Sequence, residues 1–221
     1  MEKLFKKLGI NVKDKNLYLT AFSHSSYAHE QGKKNDYERL EFLGDAVLEL
    51  VMSEYLYKNL DVEEGDMTKI RASYVCENAL YEYSKDLKIS DYIKVGHGEE
   101  SSGGRYKKVI MADIFESLMG AIYLDLGFAT VRKVILKIIV PYIENDSIIF
   151  FNDYKSALQE AVQTEKRTIN YELINESGPA HNKEFTIQVK IDDIIYGKGV
   201  GNSKKDAEQE AAKDALNKLA K

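Results

Sequence analysis

The stretch ERLEFLGDAVLEL, residues 38–50, decides the fold because its acids and apolar residues both repeat at helical spacing. Four acids follow one another at steps of three, four and four residues: Glu38, Glu41, Asp45 and Glu49. At about 100° per residue, these acids share one narrow face of a helix. The apolar residues are expected on the opposite face: Leu40, Leu43, Val47, Leu50 and Val51. Like charges at this spacing repel each other and destabilise an isolated helix, so the acidic face needs a reason.

Length and composition indicate a globular protein of one large or two smaller domains, with 221 residues, 44% hydrophobic and 30% charged. The lone cysteine, Cys76, excludes an intrachain disulfide and indicates a reducing compartment. No apolar run is long enough for a signal peptide or a membrane span, so we predict a cytoplasmic protein with no membrane partner. The net charge of −5, taken alone, argues against a nucleic-acid partner.

The spacing of apolar residues changes near residue 150 and predicts two domains. Up to Ile143 the spacing is helical almost throughout, which predicts an all-α domain over residues 1–147. Residues 148–152 are predicted to form a linker. Residues 153–221 contain a helix, three segments typical of strands (NYELIN, EFTIQVKI and IIYGKGVG) and a final helix that a capping box of Ser203 and Asp206 would begin. This order predicts a small α+β domain, α-β-β-β-α.

A second acidic pair lies in VIMADIFESLMGAIYLDLG, where Asp113 and Glu116 are three residues apart on an apolar helix. Ser117 and Gly120 fall near the same face, and such small residues let another helix approach closely. If the two acidic helices pack together, four carboxylates would converge: Glu41, Asp45, Asp113 and Glu116. Such a cluster needs cations, and oxygen ligands suit Mg²⁺ or Mn²⁺. Spacing alone favours the alternative, in which both helices carry incidental acids on solvated faces.

Two further features each have a functional and an ordinary interpretation. Phe42 projects near the acidic face, where it would be half-buried against a neighbouring loop or anchor a partner chain. Lys204 and Lys205 open the last helix, whose N-terminus favours phosphate, but they would also be ordinary as solvated lysines. Residues 153–221 carry 11 basic and 12 acidic residues, a net charge of −1, so nucleic-acid binding there would depend on local clusters.

The motifs together resemble the ribonuclease III family over nearly the whole chain. ERLEFLGDAVLEL resembles the signature helix of that family, and LTAFSHSSYAHE resembles its early His-Ser-Tyr segment. EEGDMTKIRASYV and GGRYKKVIMADIFESLMGAIYLDLG resemble its next two motifs, in the same order. Residues 153–221 are similar to a double-stranded-RNA-binding domain. Several motifs in the right order make the resemblance much more specific than any one of them.

The resemblance implies an all-α endonuclease domain that forms a homodimer with two active sites. By motif, the metal ligands are Glu41, Asp45, Asp113 and Glu116, with Asp45 and Glu116 the essential catalytic pair. Glu38 and Glu64 would be secondary acids of the same valley, and Phe42 would insert into the partner subunit. The cofactor would be Mg²⁺, with Mn²⁺ able to substitute. The family's products carry a 5′-phosphate and a 3′-hydroxyl with short 3′ overhangs, and its roles include rRNA and mRNA processing.

The resemblance also implies residues of the second domain that contact the partner, double-stranded RNA. Minor-groove 2′-hydroxyls would meet Gln159, Glu160 and His181. Phosphates would meet residues at the start of the last helix: Ser203, Lys204 and Lys205. Without the resemblance, Gln159 and Glu160 would be interpreted as solvated helix residues. A non-cleaving duplex-binding relative with the same fold is the alternative, although such a relative would be expected to lack catalytic acids.

Overall fold

The computed structural model describes residues 1–145, 154–164, 167–179 and 183–219. The chain divides into two compact units, Met1–Phe151 and Asn152–Lys221. The predicted linker, residues 148–152, and the predicted RNA contact His181 lie outside the described residues. The domain boundaries expected from the sequence therefore remain predictions.

The first unit is helical, and its longest helices carry the two acidic motifs. Its helices are α1 Glu2–Leu8, α2 Lys15–Ala21, α3 Ser25–Glu30, α4 Glu38–Asn59, α5 Glu64–Val75, α6 Glu77–Leu87, α7 His97–Ser101, α8 Lys108–Leu126 and α9 Phe128–Ile143. Helix α8 lies at the centre, with buried residues on nearly every side, because its sequence is apolar almost throughout. Its acids are therefore exceptions within a hydrophobic core, and their positions deserve a local explanation.

Two glycines bring the backbones of α4 and α8 into direct contact. A Cβ atom added at Gly44 would lie 1.8 Å from the carbonyl oxygen of Glu116, and one added at Gly120 would lie 2.2 Å from that of Leu40. Ser117, on the same side of α8, is fully buried. The close approach expected at Gly120 is thus confirmed, and Gly44 is its counterpart on α4.

The predicted apolar face of α4 is wrong at one position, Leu50, which is 57% exposed. Phe42 is 81% exposed, which excludes its half-burial against a loop of its own protomer. Tyr57, further along α4, is 76% exposed. Steps of eight and seven residues place these three side chains on one face of the helix. We call this face the exposed α4 stripe. Helix α5, which packs beside α4, has no buried residue of its own.

The second unit has the predicted order of helix, three strands and helix. Its elements are α10 Tyr154–Thr164, β1 Ile169–Ser177, β2 Glu184–Ile191, β3 Ile194–Gly201 and α11 Lys204–Leu219. The strands form one antiparallel sheet in the order β1-β2-β3. One face of the sheet and the two helices enclose a separate core that includes Leu158, Val162, Ile187, Val189 and Ile191. The α-β-β-β-α class predicted from the sequence is confirmed.

Helix α11 packs directly on the backbone of β3 because the two surfaces lack bulky side chains. A Cβ atom at Gly197 would lie 2.2 Å from the carbonyl oxygen of Ala211, and one at Gly199 would lie 2.2 Å from that of Ala207. The buried residues that the helix contributes are all small: Ala207, Ala211, Ala212 and Ala215. Glycine in β3 and alanine in α11 therefore set the distance between helix and sheet.

Polar contacts fix both the start of α11 and its attachment to the sheet. The Asp206 N–H donates to Ser203 Oγ at 3.1 Å, which confirms Ser203 as the predicted N-cap of α11. The Asp206 side chain bonds back to the Ser203 hydroxyl, which donates to Asp206 Oδ2 at 2.8 Å. Further along the helix, Asp214 Oδ2 accepts from the backbone N–H of Lys198 in β3 at 3.0 Å. None of the helices in the described part of the chain is long and apolar enough to cross a lipid bilayer.

Candidate active site

Three carboxylates converge where α4 crosses α8. Glu41 belongs to α4, and Asp113 and Glu116 belong to α8. One oxygen from each of these carboxylates lies within 4.8 Å of the others. The glycine contact explains this grouping, because Gly44 touches the backbone of Glu116 and leaves no side chain between the helices. We call these three residues the carboxylate trio.

Asp45, the fourth predicted ligand, lies beside the trio and not within it. It follows Glu41 by about one helical turn and is mostly exposed, whereas each member of the trio is half-buried. Its negative charge still acts on Glu116 and Glu41. The structure therefore brings three of the four predicted ligands together and leaves Asp45 at the solvent-facing margin of the group.

Burial and mutual repulsion make ionisation of the trio costly. Burial is the main cause that raises the pKa of Glu116 to about 8, and the charges of the other acids add to it. Burial likewise raises the pKa of Glu41 to about 7, with the Asp113 charge as the next contribution. Burial also raises the pKa of Asp113, but a hydrogen bond from Tyr37 opposes that shift. A cation among these oxygens would favour their charged forms.

The donor set fits a hard divalent cation. All three groups offer carboxylate oxygens, the ligand type that Mg²⁺ and Mn²⁺ prefer. Burial and repulsion from neighbouring acids make the charged forms of Glu41 and Glu116 unfavourable, and a bound cation would offset this cost. Among the residues that the structure describes, the trio is the one group of three or more acidic, histidine or cysteine side chains close enough together to bind the same ion. Glu41, Asp113 and Glu116 are thus the residues able to hold one, with Asp45 next to them.

Tyr37 and His24 are neighbours of the trio that the motif analysis did not single out. The Tyr37 hydroxyl donates to Asp113 Oδ2 at 3.2 Å, and the His24 ring stacks on the Tyr37 ring with centroids 5.5 Å apart. His24 lies within the His-Ser-Tyr segment, and Tyr37 immediately precedes the acidic helix. These positions were the only signals in the sequence, since the hydrogen bond joins residues 76 positions apart.

The two secondary acids occupy different surroundings. Glu38 is exposed in the first turn of α4, and its charge contributes to the raised pKa of Glu41. Glu64 begins α5 and accepts a hydrogen bond from the Thr68 hydroxyl at 3.0 Å. It lines a cavity of about 430 Å³ between α4 and α5, together with Leu50 and Tyr57 of the exposed α4 stripe. Within one protomer, Glu38 therefore adjoins the trio and Glu64 belongs to a different surface.

The described RNA-contact candidates lie on two helices of the second unit. Gln159 is exposed on α10, and Glu160 follows it in that helix. Lys204 and Lys205 are exposed in the first turn of α11, and Lys204 Nζ lies 6.0 Å from the centre of the Phe185 ring. The Ser203 hydroxyl is already engaged with the backbone and side chain of Asp206. The first turn of α11 thus offers two lysines beside free backbone N–H groups, an arrangement suited to phosphate.

Comparison with protein families assigns a class to each unit. Residues 14–143 match the family model described as Ribonuclease-III-like, and residues 154–219 match the one described as Double-stranded RNA binding motif. A helical nuclease unit followed by a duplex-binding unit defines a class of endoribonucleases.

Individual relatives match almost the entire chain. "Ribonuclease 3" of Caldanaerobacter subterraneus subsp. tengcongensis is 50% identical over 98% of this chain and 96% of its own length. "Ribonuclease 3" of Listeria monocytogenes is 46% identical over 99% of this chain and 97% of its own. The nuclease domain of ribonuclease III from Campylobacter jejuni has a TM-score of 0.60 and 40% identity, covering 63% of this chain and 96% of that one. The chain belongs to the ribonuclease III family and is an endoribonuclease.

Proposed function

We propose that this enzyme cleaves double-stranded RNA with Mg²⁺ as its cofactor and Mn²⁺ as a possible substitute. The observation that carries the proposal is the carboxylate trio, whose three oxygens lie within 4.8 Å of one another. The products would carry 5′-phosphate and 3′-hydroxyl ends. We further propose rRNA and mRNA precursors as substrates and the cytoplasm as the location, in keeping with a free cysteine, Cys76.

The side chains of the chain would divide the work at the cleavage site. Glu41, Asp113 and Glu116 would hold the metal, and Asp45 would complete the ligand set from the margin. When bound, divalent ions would neutralise the scissile phosphate, lower the pKa of the attacking water and stabilise the departing 3′ oxygen. Each of these three carboxylates is half-buried, and one oxygen from each already lies within 4.8 Å of the others without substrate. Glu116 and Asp45 would tolerate replacement least.

The second unit would recognise the shape of the duplex. The major groove of A-form RNA is too deep and narrow for side chains, so such domains contact 2′-hydroxyls and phosphates. Gln159, Glu160 and His181 would contact the minor groove. Ser203, Lys204 and Lys205 would face phosphates from the start of α11. The exposed positions of Gln159 and both lysines support this assignment, and sequence preference should be weak.

The active form would be a homodimer. The exposed α4 stripe supports this proposal, because Phe42, Leu50 and Tyr57 leave large apolar side chains in water within one protomer. Phe42 would insert into the partner subunit. The related C. jejuni nuclease domain has a flexible region involved in dimer formation. Two active sites would make two staggered cuts and leave short 3′ overhangs, with Glu38 and Glu64 as secondary acids of the shared valley.

Replacing Glu116 by Gln tests the proposed function directly. The variant removes a ligand charge but keeps the size of the side chain, so cleavage of a long RNA duplex in Mg²⁺ should fall by orders of magnitude. Duplex affinity in a gel-shift assay should change little, because the substitution leaves the proposed RNA-contacting residues of the second unit unchanged. The exposed Glu144→Gln, in the same unit, is the matched control and should cleave normally.

The same assay separates the enzyme from a non-cleaving duplex binder. Wild-type protein should cut the duplex in Mg²⁺ and not in EDTA, and labelled products should carry 5′-phosphates. Normal cleavage by Glu116→Gln would contradict the ligand assignment. Binding by wild type without cleavage in Mg²⁺ or Mn²⁺ would favour the non-cleaving alternative.

A further inference from the structure

Tyr37 is held on several sides at the start of the acidic helix. Its backbone N–H donates to the Ser23 carbonyl at 3.1 Å, and its carbonyl accepts from the N–H groups of Leu40 and Glu41, each at 2.9 Å. Only 6% of the residue is exposed. The main chain of Tyr37 therefore fixes the first turn of α4, which carries Glu41 of the carboxylate trio.

The side chain of Tyr37 reaches the other helix of the same cluster. Its hydroxyl donates to Asp113 Oδ2 at 3.2 Å. A single residue thus joins α4, through its backbone, to the α8 carboxylate, through its hydroxyl. The bond also has a clear electrostatic use, because Asp113 repels the neighbouring Glu41. A carboxylate under that repulsion would rotate away from its neighbours unless a donor held it.

A second layer of contacts fixes the ring of Tyr37. The His24 ring stacks on it with an interplanar angle of 16°. Two hydrogen bonds hold His24 in turn. Its ring Nδ1 accepts from the Ser26 N–H at 3.2 Å, and its backbone N–H donates to the Lys94 carbonyl at 2.9 Å. The Ser26 hydroxyl oxygen accepts from the Gly96 N–H at 2.9 Å. The orientation of the phenol is therefore determined by packing on one face and by backbone bonds at its base.

We propose that Tyr37 is a positioning residue that holds the Asp113 carboxylate in place for the metal, with His24 supporting its ring. This inference rests on the proposed metal-dependent function. Neighbours that hydrogen-bond a metal ligand orient it, and their loss commonly weakens metal affinity by about 10–100-fold. Tyr37 would act before any substrate binds, because every contact that fixes it lies within the protein.

Tyr37→Phe is the informative variant, because it keeps the ring against His24 and removes only the hydroxyl. The affinity of the RNA-free protein for Mn²⁺ should fall by about tenfold. The electron paramagnetic resonance signal of free Mn²⁺ measures this affinity. The Mg²⁺ concentration for half-maximal cleavage should rise by a similar factor. At saturating Mg²⁺, kcat should return to within about threefold of wild type, since excess metal restores occupancy.

Tyr18→Phe is the matched control for loss of a buried hydroxyl. The Tyr18 hydroxyl donates to Asp125 Oδ2 at 3.0 Å in the same unit, and neither residue belongs to the carboxylate trio. This variant should bind Mn²⁺ like wild type even if it is less stable. His24→Asn provides a second test, because asparagine can still accept from the Ser26 N–H but cannot stack on Tyr37. It should weaken Mn²⁺ binding in the same direction.

The outcomes separate this inference from the proposed function. Wild-type Mn²⁺ affinity in Tyr37→Phe, or equal losses in Tyr37→Phe and Tyr18→Phe, would overturn the positioning role while leaving the metal site intact. If Tyr37→Phe does not fold, wild-type affinity in His24→Asn would overturn it instead. A wild-type protein that binds neither Mn²⁺ nor Mg²⁺ would overturn the proposed metal site, and the positioning role with it.

Discussion

At the scale of single residues, Glu116 shows how burial and repulsion act on one carboxyl. It lies on a mostly apolar helix, and its backbone carbonyl packs against Gly44 of the facing helix. Its surroundings raise its pKa to about 8, so near neutral pH the metal-free carboxyl is largely protonated. Metal binding would displace that proton, and metal affinity should therefore rise with pH up to about 8.

The raised pKa of Glu116 predicts how stability depends on pH when metal is removed. Between its ordinary value of 4.5 and about 8, the folded carboxyl keeps a proton that the unfolded chain releases. The folded state then binds more protons, so the free energy of unfolding falls as pH rises through this window. In EDTA, the free energy of unfolding of Glu116→Gln should therefore decrease less with pH than that of wild type, by on the order of a few kcal/mol across this window.

Urea unfolding in EDTA at several pH values between 5 and about 8 measures this effect. The useful quantity is the difference between Glu116→Gln and wild type, because other titrating groups then cancel. Glu144→Gln serves as the control and should follow wild type. A difference between Glu116→Gln and wild type that stays constant with pH would mean that the Glu116 carboxyl is charged throughout this range in the folded protein.

The sequence could predict the acids of the site but not what holds them. Helical spacing alone placed Glu41 and Asp45 on one face and Asp113 with Glu116 on a second apolar helix, and the family resemblance then favoured their convergence. Spacing could not show which of these acids lie closest together. Glu41 and Asp45 are one turn apart on the same face, yet Glu41 belongs to the trio and Asp45 lies at its margin. Tyr37 escaped detection since its function depends on a contact with a residue 76 positions away. Only the packing of α4 on α8 makes that contact visible.

At the scale of elements, both units rely on contacts made without side chains. Gly44 and Gly120 let α4 and α8 touch through their backbones, and Gly197 and Gly199 let α11 lie on β3. Glycine weakens an isolated helix or strand, so these elements give up local stability for a close approach. In the first unit, that approach is also what brings the carboxylate trio together.

The glycine contact predicts opposite effects of the same substitution at two helical positions. Gly44→Ala would force a methyl group to within 1.8 Å of the Glu116 carbonyl oxygen, so α4 and α8 must separate. The first unit should lose at least about 2 kcal/mol of stability, and cleavage should fall because the trio opens. At Gly65 in α5 an added Cβ meets nothing within 4 Å, so Gly65→Ala should gain up to about 1 kcal/mol.

Thermal and urea unfolding of both variants, with cleavage measured alongside, would check this pair. Equal stability changes in Gly44→Ala and Gly65→Ala would contradict the close contact. A stable Gly44→Ala that still binds Mn²⁺ normally would show that the trio does not depend on the helix crossing.

Element boundaries were predictable where one face of an element is buried by its own unit. The predicted segments EFTIQVKI and IIYGKGVG coincide with β2 and β3, because period-two burial against α11 governs both. The prediction failed at Leu50, where an apolar residue on an apolar-looking face turned out to be exposed. The spacing of apolar residues predicts which side chains are buried. It does not distinguish burial within one chain from burial against a second copy.

At the scale of the whole molecule, cleavage and duplex recognition are carried by separate units with separate cores. The carboxylate trio belongs to the first unit, and the exposed lysines at the start of α11 belong to the second. Charge is likewise local, because a chain of net charge −5 must bind a polyanion through small basic clusters and bound cations.

The exposed α4 stripe predicts a dimer that depends on Phe42. Truncating a buried aromatic anchor typically costs ~2 kcal/mol or more, and a symmetric homodimer loses both copies, so Phe42→Ala should raise the dimer dissociation constant by at least roughly 30-fold. Analytical sedimentation at low micromolar concentration measures this shift. Tyr106→Ala is a suitable control, since Tyr106 is 65% exposed but lies outside the stripe. A wild-type monomer, or an unchanged dimer in Phe42→Ala, would count against the interface.

The lysines of α11 predict how RNA affinity responds to salt. Lys204→Ala combined with Lys205→Ala should weaken duplex binding for all sequences and flatten the salt dependence by about one unit of slope per lost phosphate contact. Cleavage should persist at low salt, because the trio lies in the other unit, and fail first as salt rises. Lys213→Ala with Lys218→Ala removes the same charge from the other half of α11 and is the control. Parallel slopes for wild type and the first double variant would mean that Lys204 and Lys205 are merely solvated.

The bond between Asp214 and β3 has a consequence for aggregation. A strand at the edge of a sheet offers unpaired amides to which another chain can add a strand. On β3, the carboxylate of Asp214 already accepts from the Lys198 amide, and Lys218 Nζ holds the same oxygen at 2.6 Å. A neighbouring molecule would have to displace this charged pair before it could extend the sheet. This contact of helix α11 therefore makes one amide of the β3 edge unavailable to an added strand.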